Sequence, residues 1–149
     1  MNKLMIATGV VLLGLVVFIG WNIATREPVE VVVRPEATMI SAVMGKAMME
    51  DGEPFVLLDV RTEEEFDWAR IPGAILIPYD ELRERALSEL PDKGARIILY
   101  CQTGRRTRIA SEVLLELGYD HIYDMGGILG WTFEIEGDYN YSGVPDDEE

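Results

Sequence analysis

Cysteine and histidine each occur once in this chain of 149 residues, as Cys101 and His121, and 13 Lys and Arg stand against 27 Asp and Glu. A single cysteine excludes an internal disulfide, a C-x-x-C redox pair and a cysteine-rich zinc site. A single histidine leaves no cluster to ligate a metal, and any Cys–His nucleophile pair would have to use it. The formal net charge of -14 repels phosphodiester backbones, which argues against nucleic acid as a partner. Internal repeats are absent, and the sole low-complexity tract is the acidic end "PDDEE". The length suits one domain with an appendage.

Charge is also missing locally. Residues 4–25, "LMIATGVVLLGLVVFIGWNIAT", carry no charged side chain. About 20 apolar residues in a helix span the ~30 Å hydrocarbon core of a bilayer, and Trp21 suits its interface. The run exceeds the roughly 7–15 residues of a signal-peptide core, and "WNIATRE" offers no small-x-small cleavage site. An uncleaved single-pass anchor is therefore favoured over a cleaved signal segment. Lys3 on one side nearly balances Arg26 and Arg34 on the other. The short basic N-terminus tips the expected orientation toward a domain outside the cytoplasm. A cytoplasm-facing domain, or one secreted after cleavage, is the alternative. Residues 26–35 read as a linker.

Apolar spacing then alternates between helical and strand-like. In "EATMISAVMGKAMMEDGE", Ile40, Val43, Met44, Ala47 and Met48 fall on one helical face, with Gly52 as a stop signal. "FVLLDV" is a short apolar run of the kind buried on both faces of a sheet. Thr62–Glu65, "TEEE", has capping-box spacing and opens a short helix. "IPGAILIP" reads as a turn, a short strand and a proline stop. "YDELRERALSEL" predicts a helix with Leu82, Ala86, Leu87 and Leu90 inward. "RIILYC" is another buried strand. "TRIASEVLLELG" predicts a helix with Ile109, Ala110, Val113, Leu114 and Leu117 inward and Gly118 at its end. "HIYDM" is a further strand, and "GGILGW" a turn into a last short helix. Such alternation predicts an α/β fold, a small parallel sheet with helices on both faces. Ligands bind such sheets at the carboxyl ends of the strands.

Cys101 lies at one of those ends, in "YCQTGRRT", residues 100–107. A strand delivers the thiol to a loop that turns directly into a helix, whose amides and positive dipole end form an anion cradle. Gly104 allows a tight bend or a positive φ. Arg105, Arg106 and Arg108 place three guanidinium groups beside the thiol in an otherwise acidic chain. They should hold a reactive thiolate and attract a small oxyanion, which guanidinium matches in bidentate geometry.

Four segments in order, "LLDVRTEEEF", "IPGAILIP", "YCQTGRR" with its following helix, and "GGILGW", make the stretch from Pro35 to Trp131 resemble a single-domain rhodanese, a sulfurtransferase. The resemblance implies a domain over residues 36–140 and leaves 141–149 as an acidic tail. It implies that Cys101 is the nucleophile and persulfide carrier. Gln102, Thr103, Gly104, Arg105 and Arg106 would bind the anion and stabilise the persulfide. The substrates it implies are a small sulfur-containing anion such as thiosulfate and a thiol or cyanide acceptor, or an acceptor protein. No metal and no cofactor are expected. Asp59 and Arg61 at the preceding strand end read first as structural, an acid and a base that can pair or hydrogen-bond the neighbouring loop, and second as supporting residues of the site.

The sequence departs from the family at Arg70, where rhodanese-like domains often carry histidine. Phosphatases of the same superfamily need arginine at the sixth position after the cysteine, in a wider cradle. Here the arginine is fifth, and the sixth residue is Thr107. The shorter loop favours sulfur transfer over a phosphatase or an arsenate reductase. A non-catalytic binding or regulatory module at the membrane is the other reading. His121 is expected as an exposed residue at a strand start, and Trp68 and Trp131 as packing residues.

Overall fold

The computed structural model describes residues 36–138 except Pro91. The expected anchor, the linker and the acidic tail lie outside the described residues. Among those described, no helix is long and apolar enough to cross a membrane.

The apolar runs build a five-stranded sheet. β1 (Thr38–Met39), β2 (Val56–Asp59), β4 (Ile75–Leu76), β5 (Ile97–Cys101) and β6 (Ile122–Gly127) lie in the order β1-β6-β5-β2-β4. All the pairings are parallel. β2 and β5 occupy the middle, which is why neither shows polar alternation. Leu57 and Leu58 point to opposite faces and join different cores. Leu58 packs with Leu99, Leu82, Ala86, Ala110 and Leu114. Leu57 packs with Ile98, Tyr100, Met125, Ile128 and Trp131. Each such side chain contributes roughly 1.5–3 kcal/mol by leaving water.

Helices α3 (Leu82–Glu89) and α4 (Arg105–Glu116) supply the first core, and α1 (Ala42–Glu50) covers the second. The expected α/β fold, a parallel sheet with helices on both faces, is therefore observed. The short α2 (Glu63–Trp68) opens on the expected capping box. Thr62 accepts from the Glu65 amide, and Glu65 reaches back to the Thr62 amide.

Three helix faces differ from the periodicity. On α1, Val43 is 67% and Met44 53% exposed, and Ala47 is exposed too. The packed row is instead Ala42, Gly45, Met48 and Met49. Gly45 sits against Met125 so closely that a Cβ there would collide with the sulfur, so backbone proximity and not methionine content sets the face. On α3 the inward row is Leu82, Ala86 and Leu90, leaving Leu87 outside. On α4, Thr107, Ala110, Ser111 and Leu114 face inward and Ile109 turns outward. That helix also starts at Arg105, two residues before the expected "TRIASEV" segment.

Three strands of two residues had no counterpart in the pattern. β1 falls inside the stretch expected to begin α1 and pairs with β6. β3 (Ala69–Arg70) and β7 (Glu136–Gly137) form a separate antiparallel ribbon. Arg70 fastens it, donating to Glu136 at 3.1 Å while stacking over Phe66.

Candidate active site

Three strand ends converge on the loop that follows β5. The register of β5 against β6 shifts between Leu99 and Cys101, so that Cys101 stands opposite Gly127. A bulge of this kind re-aims a side chain at a sheet end. Cys101 is buried, and its Sγ accepts a hydrogen bond from the Gly104 amide at 3.0 Å. Gly104 has φ +100°, the left-handed region that favours glycine, and occupies the N-cap of α4 without a side-chain cap. The helix thus begins directly after the thiol, with its uncapped amide end beside it.

The loop is closed by Thr107. Fully buried, it donates its hydroxyl to the Gly104 carbonyl at 2.8 Å. The position where a phosphatase would need arginine is therefore a structural clamp of the short loop. From β6, Gly127 presses on the loop's other side. A Cβ at Gly127 would collide with the Gln102 carbonyl and stand 2.7 Å from the Thr103 Cα. Leu129 donates its amide to that carbonyl at 3.4 Å.

The arginines divide into three kinds. Arg106 is gripped by Glu65, with Nη1 to Oε2 at 2.5 Å and Nη2 to Oε1 at 2.6 Å, and it reaches Gln102 Oε1 at 3.5 Å. Its guanidinium therefore braces the loop against α2 instead of standing free for an anion. The Glu65 pairing raises the affinity of Arg106 for its proton against the cost of burial. Burial pushes the Glu65 carboxyl the other way, yet Arg106 and the Thr62 amide together hold it below its ordinary range.

Arg61 is the second kind. It is 3% exposed and forks onto fully buried Asp59, with Nη2 to Oδ2 at 2.6 Å, and donates to the Ala69 carbonyl at 2.6 Å. Its guanidinium lies 5.6 Å from the centre of the Tyr100 ring. Asp59 and Arg61 thus pair with each other at the end of β2. Burial and then the Asp59 carboxylate push the Tyr100 phenol well above its usual value, while its oxygen accepts from the Ile71 amide.

Arg105 is the third kind, exposed and without an ion pair among the described residues. Thr103 is exposed beside it, and Gln102 is half-buried. Cys101 ends β5, Gln102, Thr103 and Gly104 form the loop, and Arg105 and Arg106 open α4, with Asp59 at the end of the neighbouring β2 and Arg61 just beyond it.

Glu65 is the residue that sequence reasoning missed. Its capping-box spacing with Thr62 was visible, but nothing in that spacing points to a partner at Arg106. His121 is exposed at the start of β6, 3.6 Å from Asp120. Trp131 is buried and donates its indole N–H to the Glu134 carbonyl, whereas Trp68 is 45% exposed. Among the described residues, no group of three His, Cys, Asp or Glu side chains could hold a metal ion.

The chain is similar to known proteins over the described domain. A model of the family described as "Rhodanese-like domain" matches residues 41–134. The chain is 39% identical over 71 residues to thiosulfate sulfurtransferase PspE of Escherichia coli, covering 48% of this chain and 68% of that protein. It is 34% identical over 83 residues to a sulfurtransferase of Allochromatium vinosum, covering 55% and 76%. A solved rhodanese with anions from E. coli superposes with a TM-score of 0.52 at 34% identity, over 56% of this chain and 98% of that one. With its cysteine loop at the carboxyl end of the central strand, the chain belongs to the rhodanese-like domain family.

Proposed function

We propose that the protein is a sulfurtransferase that carries a sulfane sulfur from thiosulfate or a related donor, as a persulfide on Cys101, to a thiophilic acceptor. The observation that carries this reading is the Gly104 amide pointing at Cys101 Sγ at 3.0 Å, at the uncapped start of α4. An amide so placed stabilises negative charge on sulfur, first in the thiolate and then in the persulfide. Arg105 supplies the cation that draws an anionic donor to the loop. The PspE and A. vinosum relatives, named as sulfurtransferases, support the same activity.

The chemistry balances without an oxidant or reductant. The Cys101 thiolate attacks the outer sulfur of thiosulfate. A new S–S bond forms as the old one breaks, and sulfite leaves with the bonding electron pair. An acceptor nucleophile then attacks the terminal sulfur of the persulfide. Cyanide becomes thiocyanate, a thiolate becomes a persulfide, and the Cys101 thiolate is restored. With one cysteine in the chain, the persulfide cannot be resolved as an internal disulfide, so the sulfur departs to an external acceptor.

Intact mass measurement after incubation with thiosulfate tests this. The wild-type protein gains one sulfur atom and forms thiocyanate from cyanide; Cys101→Ala does neither. An unmodified thiol across thiosulfate and low-molecular persulfide donors would sink the proposal. The apolar run at residues 4–25 is proposed to tether the domain to a membrane, facing outward. Protease accessibility on intact cells decides the side.

A further inference from the structure

A second cleft of about 760 Å³ lies between α4 and the edge of the sheet at β1. Arg108, Ser111, Glu112 and Leu115 line it from α4, and Asp124 from β6. It is distinct from the Cys101 loop, and none of the residues just named belongs to that loop. Its size falls within the range of small-molecule sites.

Two polar groups of this cleft are out of water. Asp124 is 2% and Ser111 4% exposed. One Asp124 oxygen accepts from the Gly126 amide at 2.8 Å. The Ser111 hydroxyl has no hydrogen-bond partner among the described residues. A buried hydroxyl left unpaired costs free energy, and Ser111 is one of the residues that line the cleft.

The charges around the cleft are of both signs. Arg108 is exposed and without an ion pair among the described residues. Glu36, Glu112, Glu116 and Asp124 also line the cleft, but Glu116 is taken by Arg83. A lone cation would meet Arg108, and a lone anion would meet three carboxylates. A zwitterion satisfies both. Met39, 71% exposed, and Leu115 add an apolar wall.

We propose that this cleft binds an α-amino acid head group, with its carboxylate on Arg108, its ammonium on Asp124 and Glu112, and the Ser111 hydroxyl completing the contacts. The side chain lies along Met39 and Leu115. The same ammonium and carboxylate on one carbon occur in a free amino acid and in the γ-glutamyl end of glutathione.

Titration of the full chain in detergent with leucine, N-acetyl-leucine, leucine amide and glutathione, followed by amide chemical shifts, tests the assignment. Leucine or glutathione gives saturable shifts at Ser111, Glu112, Leu115 and Asp124. N-acetyl-leucine and leucine amide, each lacking one charge, bind at least about ten-fold more weakly than leucine. Arg108→Ala weakens leucine about ten-fold without weakening leucine amide, and Ser111→Ala weakens both. Amide chemical shifts of Arg108→Ala that match wild type away from the cleft show that the variant is folded. Tight binding of leucine alone assigns the site to free amino acids, and tight binding of glutathione to peptide γ-glutamyl groups. No saturable shift with any of the four compounds overturns the proposal. So does equal binding of the three leucine compounds, or unchanged affinity in both variants.

Discussion

Glu65 holds Arg106 with both carboxylate oxygens across 41 residues of sequence. The pair ties the first turn of α2 to the first turn of α4, immediately after the Cys101 loop. A charge of the loop is thereby spent on position and not on substrate.

Glu65→Gln removes the charge and keeps the shape. Misplacing a reacting group by about 1 Å can cost on the order of 100-fold in rate, so persulfide formation is expected to slow by roughly 10- to 100-fold. Stability falls by less than the ~3–5 kcal/mol lost when a fully buried pair is broken, because Arg106 keeps 15% of its side chain in water. Single-turnover mass kinetics and urea denaturation read the two effects. The double variant Glu65→Ala, Arg106→Ala should lose less than the sum of its parts, since each single variant strands the partner. Additive losses would show that the clasp does not act as a unit.

The same pair predicts acid sensitivity. Burial opposes ionisation of Glu65, but Arg106 and the Thr62 amide outweigh it, so its carboxyl titrates lower in the folded state than unfolded. As pH falls, the unfolded chain takes up that proton first, and the equilibrium moves toward unfolding. The contribution is complete above the ordinary carboxylate range and drains away as pH drops through the folded value. Urea midpoints measured from neutral to acidic pH should fall less steeply in Glu65→Gln than in wild type over that range. Parallel curves would contradict the assignment.

How much of the structure is legible in the sequence follows from how local each cause is. β2 and β5 are central, so their apolar runs announce them. Thr62 and Glu65 lie within one turn, so their cap is visible. Gly104 stands between the only thiol and a helix, so a tight bend or a positive φ there could be anticipated. By contrast, β1, β3 and β7 have two residues each and exist only because a partner strand pairs with them. The packed face of α1 is not legible in the sequence because Met44 and Val43 have the character of core residues, while the decisive contact is Gly45 against Met125. The Arg106 partner was invisible for the same reason: its cause is a meeting of distant segments.

Arg105 carries the loop's free cation, so Arg105→Ala should act on donor binding. KM for thiosulfate is expected to rise about ten-fold with kcat nearly unchanged, the pattern of lost uniform binding. Because the side chain is exposed, the wild-type advantage should shrink as salt shortens the screening length from about 10 Å at 0.1 M. Steady-state thiocyanate assays at low and high ionic strength measure both. A fall in kcat with constant KM would place Arg105 in the chemical step instead.

Gly127 tests how closely β6 must approach the loop. An alanine there brings its Cβ into the Gln102 carbonyl and within 2.7 Å of the Thr103 Cα, both backbone atoms that cannot rotate away. The loop has to move, and Cys101 moves with it, because Gly104 and Thr107 close the other side. Gly130→Ala is the control, since a Cβ at that position meets nothing within 4 Å. Persulfide formation should drop by about 100-fold in Gly127→Ala, with overpacking costing roughly 1–3 kcal/mol of stability. Gly130→Ala should leave both near wild type. If Gly127→Ala lost stability but kept its rate, the loop would be free to shift without displacing the thiol, and the proposed preorganisation at Cys101 would fail.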